Sequence, residues 1–379
     1  MVYQSNIKGQ KLAIALTLLF TIFAISLRAQ SDKINIQSTA VPFMLISPDA
    51  RSGGMGNLSL AMSPDANDLF GNTAKLSLLK NNSGFLINYT PWLKDLGVND
   101  VYLASMGYYK KLNDYSSINS SLRFFSLGEI QFTDANANEL PSTRPSEFSY
   151  DLGYNILLTD KLSMGVTLRY IHSKLVQGPL GSIDYRAGNT IAGDISLFYR
   201  QNENLDGFHA GLLLSNLGGK ISYTNESTNK YFIPANIGLG LGYLTRFDTD
   251  NSLEFGVDVN RLLVPVFPAT NLHGENDRYY SQSVVSSWFN SFSSREGPKM
   301  SESLRYSLGL EYNYIDRFFL RAGYLLEDQS RGKGQYFTLG TSFQYLQSKF
   351  NISYLVPSGG GLSRNPLSNT IRFGSIFYF

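Results

Sequence analysis

The feature that most restricts the fold of this chain is an alternation of apolar residues with small or polar ones at a period of two. The alternation is clear in residues 162–170, 237–243 and 253–259, and it returns in residues 368–379, which end on an aromatic side chain. Residues two apart share one face of a β-strand, so each segment predicts a strand with an apolar face. Such a strand either covers a soluble core or faces lipid from the wall of a membrane barrel.

Segments of this kind recur along the chain from residue 83 onward. They start near Ser83, Asp100, Ser116, Glu147, Leu162, Asn189, Gly207, Ala235, Ser252, Ser303, Arg317, Gln335, Ser348 and Asn369. Short connections, such as 159–161 and 201–206, alternate with long ones, such as 175–188 and 264–302. An even strand number with connections segregated by length is typical of bacterial outer-membrane barrels and not of a soluble sandwich. The sequence therefore predicts an all-β membrane protein, an antiparallel outer-membrane β-barrel of about 14 strands.

Composition agrees with a barrel and excludes several other classes. The 379 residues are 43% hydrophobic and only 16% charged, with 34 Gly and 24 Tyr, which is ordinary for a barrel that faces lipid. There is no Cys, which excludes a disulfide framework, a thiolate metal site and a cysteine nucleophile. The formal net charge of +2 provides no basic surface for nucleic acid.

The histidines give no sign of an active site. His172, His209 and His273 stand in separate segments, so no Ser-His-acid or multi-histidine site follows from their spacing. We therefore expect a protein that is not an enzyme and that holds no cofactor and no metal.

The amino-terminal region has the pattern of an export signal. Lys8 and Lys11 precede an apolar run over residues 12–25, and the small residues Ser26 and Ala29 follow. The run is shorter than the ~18 residues of a membrane-spanning helix, so the pattern predicts a signal peptide over residues 1–29.

The segment 30–82 does not alternate and predicts a plug of short helices. The tetrapeptide SPDA occurs at 47–50 and again at 63–66. Each copy places Ser where it caps a helix, Pro at the first helical position and Asp in the first turn. Between the copies, Gly53, Gly54 and Gly56 permit tight backbone contacts. The predicted organisation is thus a signal peptide (1–29), a plug (30–82) and a transmembrane barrel (83–379).

The period of two also predicts which charged residues point into the barrel. They are Arg123, Asp151, Arg169, Asp194, Glu254, Asp258, Arg305, Glu311, Arg321 and Arg372. Acids and bases are equal in number, which predicts mutual pairing within the lumen rather than a single-sign field that selects ions. We therefore expect a barrel that is filled by side chains and by the amino-terminal helices, not an open porin.

Six stretches of the chain resemble one family of outer-membrane proteins. They are LISPDARSGGMG from Leu45, YTPWL from Tyr89, FFSLGEIQFTD from Phe124, RYIHS from Arg169, NLGGKISYT from Asn216 and FNISYLVPSGGGLSRNPLSNTIRF from Phe350. Together they are similar to the PorV family, also called LptO, of the type IX secretion system of Bacteroidetes, within the wider FadL-like barrel group. Residues 71–74 and 266–268 depart from the residues usual in that family.

The resemblance implies a secretion role without catalysis in this chain. Members of the family bind the carboxy-terminal domain of secreted cargo at a SprA-type translocon barrel and deliver the cargo to a PorU-type sortase attachment complex. Lipid or lipopolysaccharide of the outer membrane would surround the barrel. Two alternatives stand beside this interpretation: a FadL-like transporter of a hydrophobic ligand, and a factor in lipid A deacylation.

The longest connection holds a candidate partner-binding site. Val284, Val285, Trp288, Phe289 and Phe292 share one apolar face if the segment is helical. Exposed Trp and Phe side chains concentrate binding energy, so the functional interpretation is a contact for the translocon or the cargo. The structural alternative is a helix that folds down onto the rim of the barrel.

Overall fold

The computed structural model describes residues 39–93, 97–133, 142–180, 183–225, 229–265, 275–292, 304–327, 335–356 and 369–379. The chain divides into two units, Met1–Ile34 and Asn35–Phe379. The first unit, and with it the predicted signal peptide, lies outside the described residues. Among the described helices, none is long and apolar enough to cross a membrane.

Sixteen strands are present in the described part of the chain. Their bounds are β1 Ser83–Pro91, β2 Val101–Lys111, β3 Ser116–Leu127, β4 Ser146–Thr159, β5 Leu162–Lys174, β6 Gly178–Leu180, β7 Ile183–Tyr185, β8 Gly188–Arg200, β9 Gly207–Gly218, β10 Asn236–Arg246, β11 Asn251–Leu262, β12 Leu304–Tyr314, β13 Phe318–Glu327, β14 Tyr336–Tyr345, β15 Ser348–Val356 and β16 Ile371–Tyr378. The short strands β6 and β7 form a separate hairpin within one long connection. The other strands form one closed antiparallel barrel of fourteen, in which each strand pairs with its neighbours along the chain.

The last strand closes the barrel against the first. Phe85 of β1 lies opposite Phe377 of β16, and the Phe379 N–H donates to the Ser83 carbonyl oxygen at 2.9 Å. The predicted fourteen-strand antiparallel barrel is therefore confirmed, and each predicted strand start falls within two residues of the observed one. Strand starts are well predicted because the period of two ends abruptly at the turn residues.

The two faces of the wall have the chemistry that the alternation predicts. In β5, Val166 and Leu168 are exposed on the outside, whereas Thr167 and Arg169 are buried inside. In β16, Phe373 is exposed and Arg372 is buried. The outside is thus an apolar surface for lipid, and the inside carries the polar and charged residues.

Residues 39–82, which we call the plug, run down the inside of the barrel. They contain 3₁₀ helices at Pro42–Leu45, Ala66–Phe70 and Thr73–Leu78 and an α-helical turn at Ala50–Gly53. At the end with long connections, the Ala40 N–H donates to the Phe232 carbonyl oxygen at 2.9 Å. At the end with short turns, Lys111 donates to the Leu79 carbonyl oxygen at 3.2 Å.

The two SPDA motifs do begin helices, but the capping residue differs from the prediction. Asp49 and Asp65 are the N-caps, and each carboxylate accepts a backbone N–H of the first turn. The serines bond elsewhere: the Ser47 hydroxyl donates to Asp49 at 2.9 Å and the Ser63 hydroxyl donates to Glu254 at 2.9 Å. The helices therefore start two residues later than the Ser-cap pattern indicates, because the charged acceptor makes the stronger cap bond.

Two apolar clusters fill the space between plug and wall. Near the long connections, Val41 and Phe43 of the plug pack with Leu103, Phe125 and Ile171 of the wall. Near the short turns, the plug residues Leu69, Leu76 and Leu79 pack with Leu86, Tyr109 and Ile376. The charged part of the lumen lies between these clusters and is shielded by both.

Candidate functional site

Inward-facing glycines of the wall make room for the backbone and side chains of the plug. These are Gly211, Gly238, Gly240, Gly242, Gly256, Gly309 and Gly323. A Cβ atom at Gly211 would lie 2.1 Å from the Leu60 carbonyl oxygen, and one at Gly323 would lie 2.1 Å from the Met55 carbonyl carbon. No side chain fits at such distances, so the plug backbone rests directly on the strands.

Two carboxylates of β11 hold the central part of the plug. The N–H groups of Ser59 and Leu60 donate to Asp258 Oδ2 at 2.7 and 2.9 Å. The Ser63 N–H donates to Glu254 Oε1 at 2.7 Å. Hydrogen bonds to ionised acceptors in a buried site are stronger than neutral ones, so these three bonds fix the plug against the wall.

Salt bridges add further links between plug and wall. Arg51 of the plug binds Glu311 of β12 through two bonds, Nη2 to Oε1 at 3.0 Å and Nε to Oε2 at 3.2 Å. Arg321 of β13 binds the same carboxylate from the other side. Lys349 of β15 binds Asp65 of the plug at 2.9 Å. The plug is thereby connected to β12 and β15, which lie three positions apart in the ring of strands.

A second charged network lies within the wall itself. Arg169 of β5 binds Asp151 at 2.8 Å and Asp194 at 2.9 Å. Its Nη1 also donates to Asn216 Oδ1 at 2.6 Å. All of its donor nitrogens thus have partners, as a buried guanidinium requires.

The structure places all ten predicted lumen residues on the inner face. Nine of them are buried, and Arg305 is half-buried. Asp151, Asp194 and Glu311 pair with wall arginines, but Glu254 and Asp258 bind plug N–H groups instead. Fewer of these acids pair with arginines than their equal numbers predict, because the plug backbone provides N–H donors that a count of charges does not include.

Sequence reasoning did not find the charged partners Arg51, Asp65, Asp68, Lys75 and Lys349. Lys75 binds Asp68 at 2.6 Å within the plug. Lys349 sits at an inward position of β15, so the same period of two would have identified it. The plug residues show no period, and no local signal marks them as lumen residues.

The predicted partner-binding segment forms the helix Val284–Asn290, capped by the Ser283 hydroxyl. Its side chains divide into two sets. Val284 packs against a rim cluster that contains Phe232, Leu262, Val264 and Tyr279. Val285 and Phe289 are 57% and 73% exposed, and Phe292 just beyond the helix is 52% exposed.

The five apolar residues of the predicted face therefore divide between the rim of the barrel and the surface. Trp288 is half-buried, and its indole Nε1 is fully covered. The helix turns Val284, Ser287 and Trp288 towards the barrel because the rim offers an apolar seat on that side. The residues left on the surface are Val285, Phe289 and Phe292.

The described histidines take part in separate contacts. His172 Nδ1 lies 2.7 Å from Asn189 Oδ1 on an exposed face, whereas buried His209 lies 3.3 Å from Glu254 and bonds the Leu205 carbonyl oxygen. His273 lies outside the described residues. Across those residues, no group of three or more His, Asp or Glu side chains is arranged to hold a metal ion.

A closed fourteen-strand barrel with an apolar outside and an inner plug held by buried charges is an outer-membrane protein of the plugged-barrel class. A family model described as Type IX secretion system protein PorV matches residues 28–269. This is more than half of the chain, so the chain belongs to the PorV family. None of the curated protein sequences gives a significant match.

Solved structures with a similar fold include two toluene transporters and a monoaromatic hydrocarbon channel. The P. putida toluene transporter TodX is 10% identical with a TM-score of 0.52, and the match covers 86% of this chain and 97% of TodX. The Ralstonia pickettii toluene transporter TbuX is 11% identical with a TM-score of 0.52, over 87% of this chain and 98% of TbuX. The CymD monoaromatic hydrocarbon channel is 10% identical with a TM-score of 0.52, over 90% of this chain and 99% of CymD. At such identities the likeness is one of fold.

Proposed function

We propose that this barrel is a shuttle and adaptor of the type IX secretion system. It binds the carboxy-terminal domain of secreted cargo at a SprA-type translocon barrel and delivers the cargo to a PorU-type sortase attachment complex. Membership of the PorV family supports the secretion role. Catalysis then belongs to the attachment complex and not to this chain.

The observation that carries the proposal is the plug and its attachment to the wall. Asp258, Glu254 and Glu311 bind the plug through buried charged contacts, and glycines of the wall touch its backbone. Moving the plug would expose several buried charges without partners, which is costly. A barrel of this kind is suited to carry partners on its outer surface rather than to pass them through its lumen.

The helix Val284–Asn290, which we call the loop helix, carries the candidate contact for the translocon or the cargo on its surface side chains. Val285, Phe289 and Phe292 form an exposed apolar group at the end of the barrel with long connections. Trp288 is half-buried on the side of the helix that faces the barrel, and Val284 packs against the rim cluster. Aromatic side chains on a rigid support are typical hot spots of protein interfaces.

Transport of a hydrophobic ligand is the second candidate, and it is favoured by the fold of the toluene transporters. The charged centre of the lumen argues against it, because Arg169, Asp151 and Asp194 are buried there. A passage for apolar molecules is instead lined mainly by apolar side chains. No observation in the described residues favours a role in lipid A deacylation.

The test is to purify the tagged protein from its native outer membrane in mild detergent and to identify what accompanies it by mass spectrometry. The proposal expects a large barrel, a sortase-like protein and exported proteins that share one carboxy-terminal domain. Recovery of the barrel alone, with a bound hydrocarbon or fatty acid, would instead support the transporter. An unrelated tagged barrel from the same membrane serves as the control for carry-over.

A further inference from the structure

Polar side chains replace apolar ones on the outer wall where β5 and β8 approach the end of the barrel with long connections. Nearer the middle of the wall, Leu168 of β5 and Ile191 of β8 are exposed on the outward face. Beyond them on the same face stand His172 and Asn189, which lie opposite each other in the strand register. The change from apolar to polar marks the level at which the hydrocarbon of the membrane meets the lipid headgroups.

A small hydrogen-bond network fixes the polar side chains at this level. The Tyr170 hydroxyl donates to Asn189 Oδ1 at 2.6 Å, and His172 Nδ1 lies 2.7 Å from the same oxygen. An amide oxygen only accepts, so His172 Nδ1 carries the hydrogen and Nε2 is left for another partner. Phe148 of β4 stacks on the His172 ring with 5.0 Å between the ring centroids. The imidazole is thus held from both neighbouring strands before any ligand binds.

Three polar groups at this place have no partner in the described part of the chain. They are His172 Nε2, the Asn189 Nδ2 amide and the ammonium of Lys174, the last residue of β5. Neither His172 Nε2 nor Lys174 Nζ is covered by the protein, so both are open to a molecule from outside. Residues two apart share one face of a strand, so the Cα atoms of His172 and Lys174 lie roughly 7 Å apart on the same surface. One phosphate group reaches both side chains at that spacing.

The charge of Lys174 is not neutralised by the strands beside it. Among the described residues, Lys174 forms no ion pair. Glu147 of β4 is buried on the inner face, where it accepts the Ser173 hydroxyl at 2.6 Å. The connection 175–188 contains one acid, Asp184, and one base, Arg186, and so adds no net charge. The site is therefore positive at the level of the headgroups and complementary to an anion.

We propose that this outward site binds the phosphate of a lipid headgroup in the membrane around the barrel. Lys174 supplies the charge, the Asn189 amide donates a hydrogen bond, and His172 Nε2 donates when the imidazole is protonated. The acyl chains of the lipid then lie on Leu168 and Ile191, which are exposed on the same two strands. A lipid fits better than a free ion, because the polar site and the apolar surface are continuous on one face. The inference does not depend on the proposed secretion role.

The test is native mass spectrometry of the purified full-length barrel in neutral detergent, at constant ionic strength, with added phosphatidic acid or phosphatidylcholine of identical acyl chains. We expect phosphatidic acid to bind about tenfold more tightly than phosphatidylcholine, since one charged contact corresponds to about that factor. Lys174→Gln abolishes this preference, whereas Lys174→Arg keeps it because the cation remains. His172→Phe retains the ring stacking on Phe148 and weakens phosphatidic acid binding several-fold, because one hydrogen-bonding group is lost.

The matched control is Lys161→Gln, which removes the same charge from the exposed short turn of the same hairpin, between β4 and β5. Heat-modifiable mobility on gels verifies that each variant is folded. Equal binding of both lipids by the wild type, or an equal loss of preference in Lys161→Gln and Lys174→Gln, would overturn the proposal. Displacement of bound phosphatidic acid by an equal concentration of inorganic phosphate would overturn the assignment to a lipid.

Discussion

Glu311 joins the plug to the wall by binding two arginines at once. Arg51 reaches it from the plug and Arg321 from the next strand, and all three side chains are buried. A buried ion pair contributes little net stability compared with apolar residues of the same size, but the loss of one member leaves a charge without a partner. Removing the Glu311 carboxylate is therefore expected to cost more stability than the ion pair contributes, because two buried arginines would lose their counter-charge.

Replacing this carboxylate tests that argument. We expect Glu311→Gln to lower the free energy of unfolding by about 3–5 kcal/mol, because Arg51 and Arg321 lose their common counter-charge. Urea titration of the folded barrel in detergent micelles, followed by tryptophan fluorescence, measures the change.

The control is Glu129→Gln on an exposed connection. Glu129 binds Arg144 at 2.8 Å, and this hydrogen bond lowers the pKa of the Glu129 carboxyl below its ordinary value. Exposed pairs are screened by solvent, so no measurable change in the urea midpoint is expected there. Equal midpoints for both variants would show that Glu311 does not hold the plug.

At the scale of elements, the strands of one side of the barrel are shaped to receive the plug. Their inward glycines alternate with outward apolar residues, as in β10, where Gly238, Gly240 and Gly242 face the plug and Leu239 and Leu241 face lipid. Gly240 and Gly242 leave room for the plug backbone at Ala61, and Gly238 leaves room for the Leu60 side chain. The strand is thus a lipid-facing surface and a seat for the plug at the same time.

Adding one methyl group to this seat should displace the plug. In Gly323→Ala the new Cβ would lie 2.1 Å from the Met55 carbonyl carbon, so the backbone of the plug must move. We expect the barrel to assemble but to show raised ion conductance in planar bilayers. Gly193→Ala is the control, because its Cβ would meet only the Thr167 carbonyl oxygen at 3.4 Å. Conductance that is the same in both variants would argue against a tight seat at Gly323.

The loop helix gives a second prediction at this scale, which rests on the proposed function. The double variant Val285→Ser and Phe289→Ser should weaken co-purification of translocon and cargo several-fold, since it removes exposed apolar area without touching the rim cluster. Quantitative mass spectrometry of the pull-down measures the loss. Leu346→Ser is the matched control, because Leu346 is 80% exposed on a short turn at the other end of the barrel. Equal recovery of partners in both cases would remove the helix from the contact surface.

At the scale of the whole molecule, the sheet closes into a ring and the plug occupies the lumen. The strands form an unbroken ring from β1 to β16, and the plug extends from the long connections at Ala40 to the short turns at Leu79. Apolar clusters near both ends cover the charged centre. The molecule is therefore built as a rigid body that presents surfaces, not as a pore.

The wild-type protein should accordingly carry little current. We expect purified barrels in planar bilayers to show no large, steady conductance, because the plug fills the lumen along its length. An open porin inserted in the same membrane confirms that the assay detects channels. Large and steady steps from the wild type would contradict a fixed plug.

Strand positions, the facing of side chains and the closure of the barrel follow from the sequence alone. The period of two is local, since residues i and i+2 share a face whatever the strand pairs with. Arg169 and Arg372 could thus be placed inside the lumen before any contact was known. The alternation of short and long connections then determined the antiparallel order.

Only the tertiary structure decided what each inward side chain meets. Arg51 and Glu311 are 260 residues apart in the chain. The plug sequence has no regular alternation, so no local pattern predicts which strand residue Arg51 contacts. The same holds for the loop helix: its apolar residues were predictable, but the rim cluster that covers Val284 and leaves Phe289 exposed is assembled from distant segments. Local periodicity determines which way a residue points, whereas its partner depends on which distant segments the closed barrel brings together.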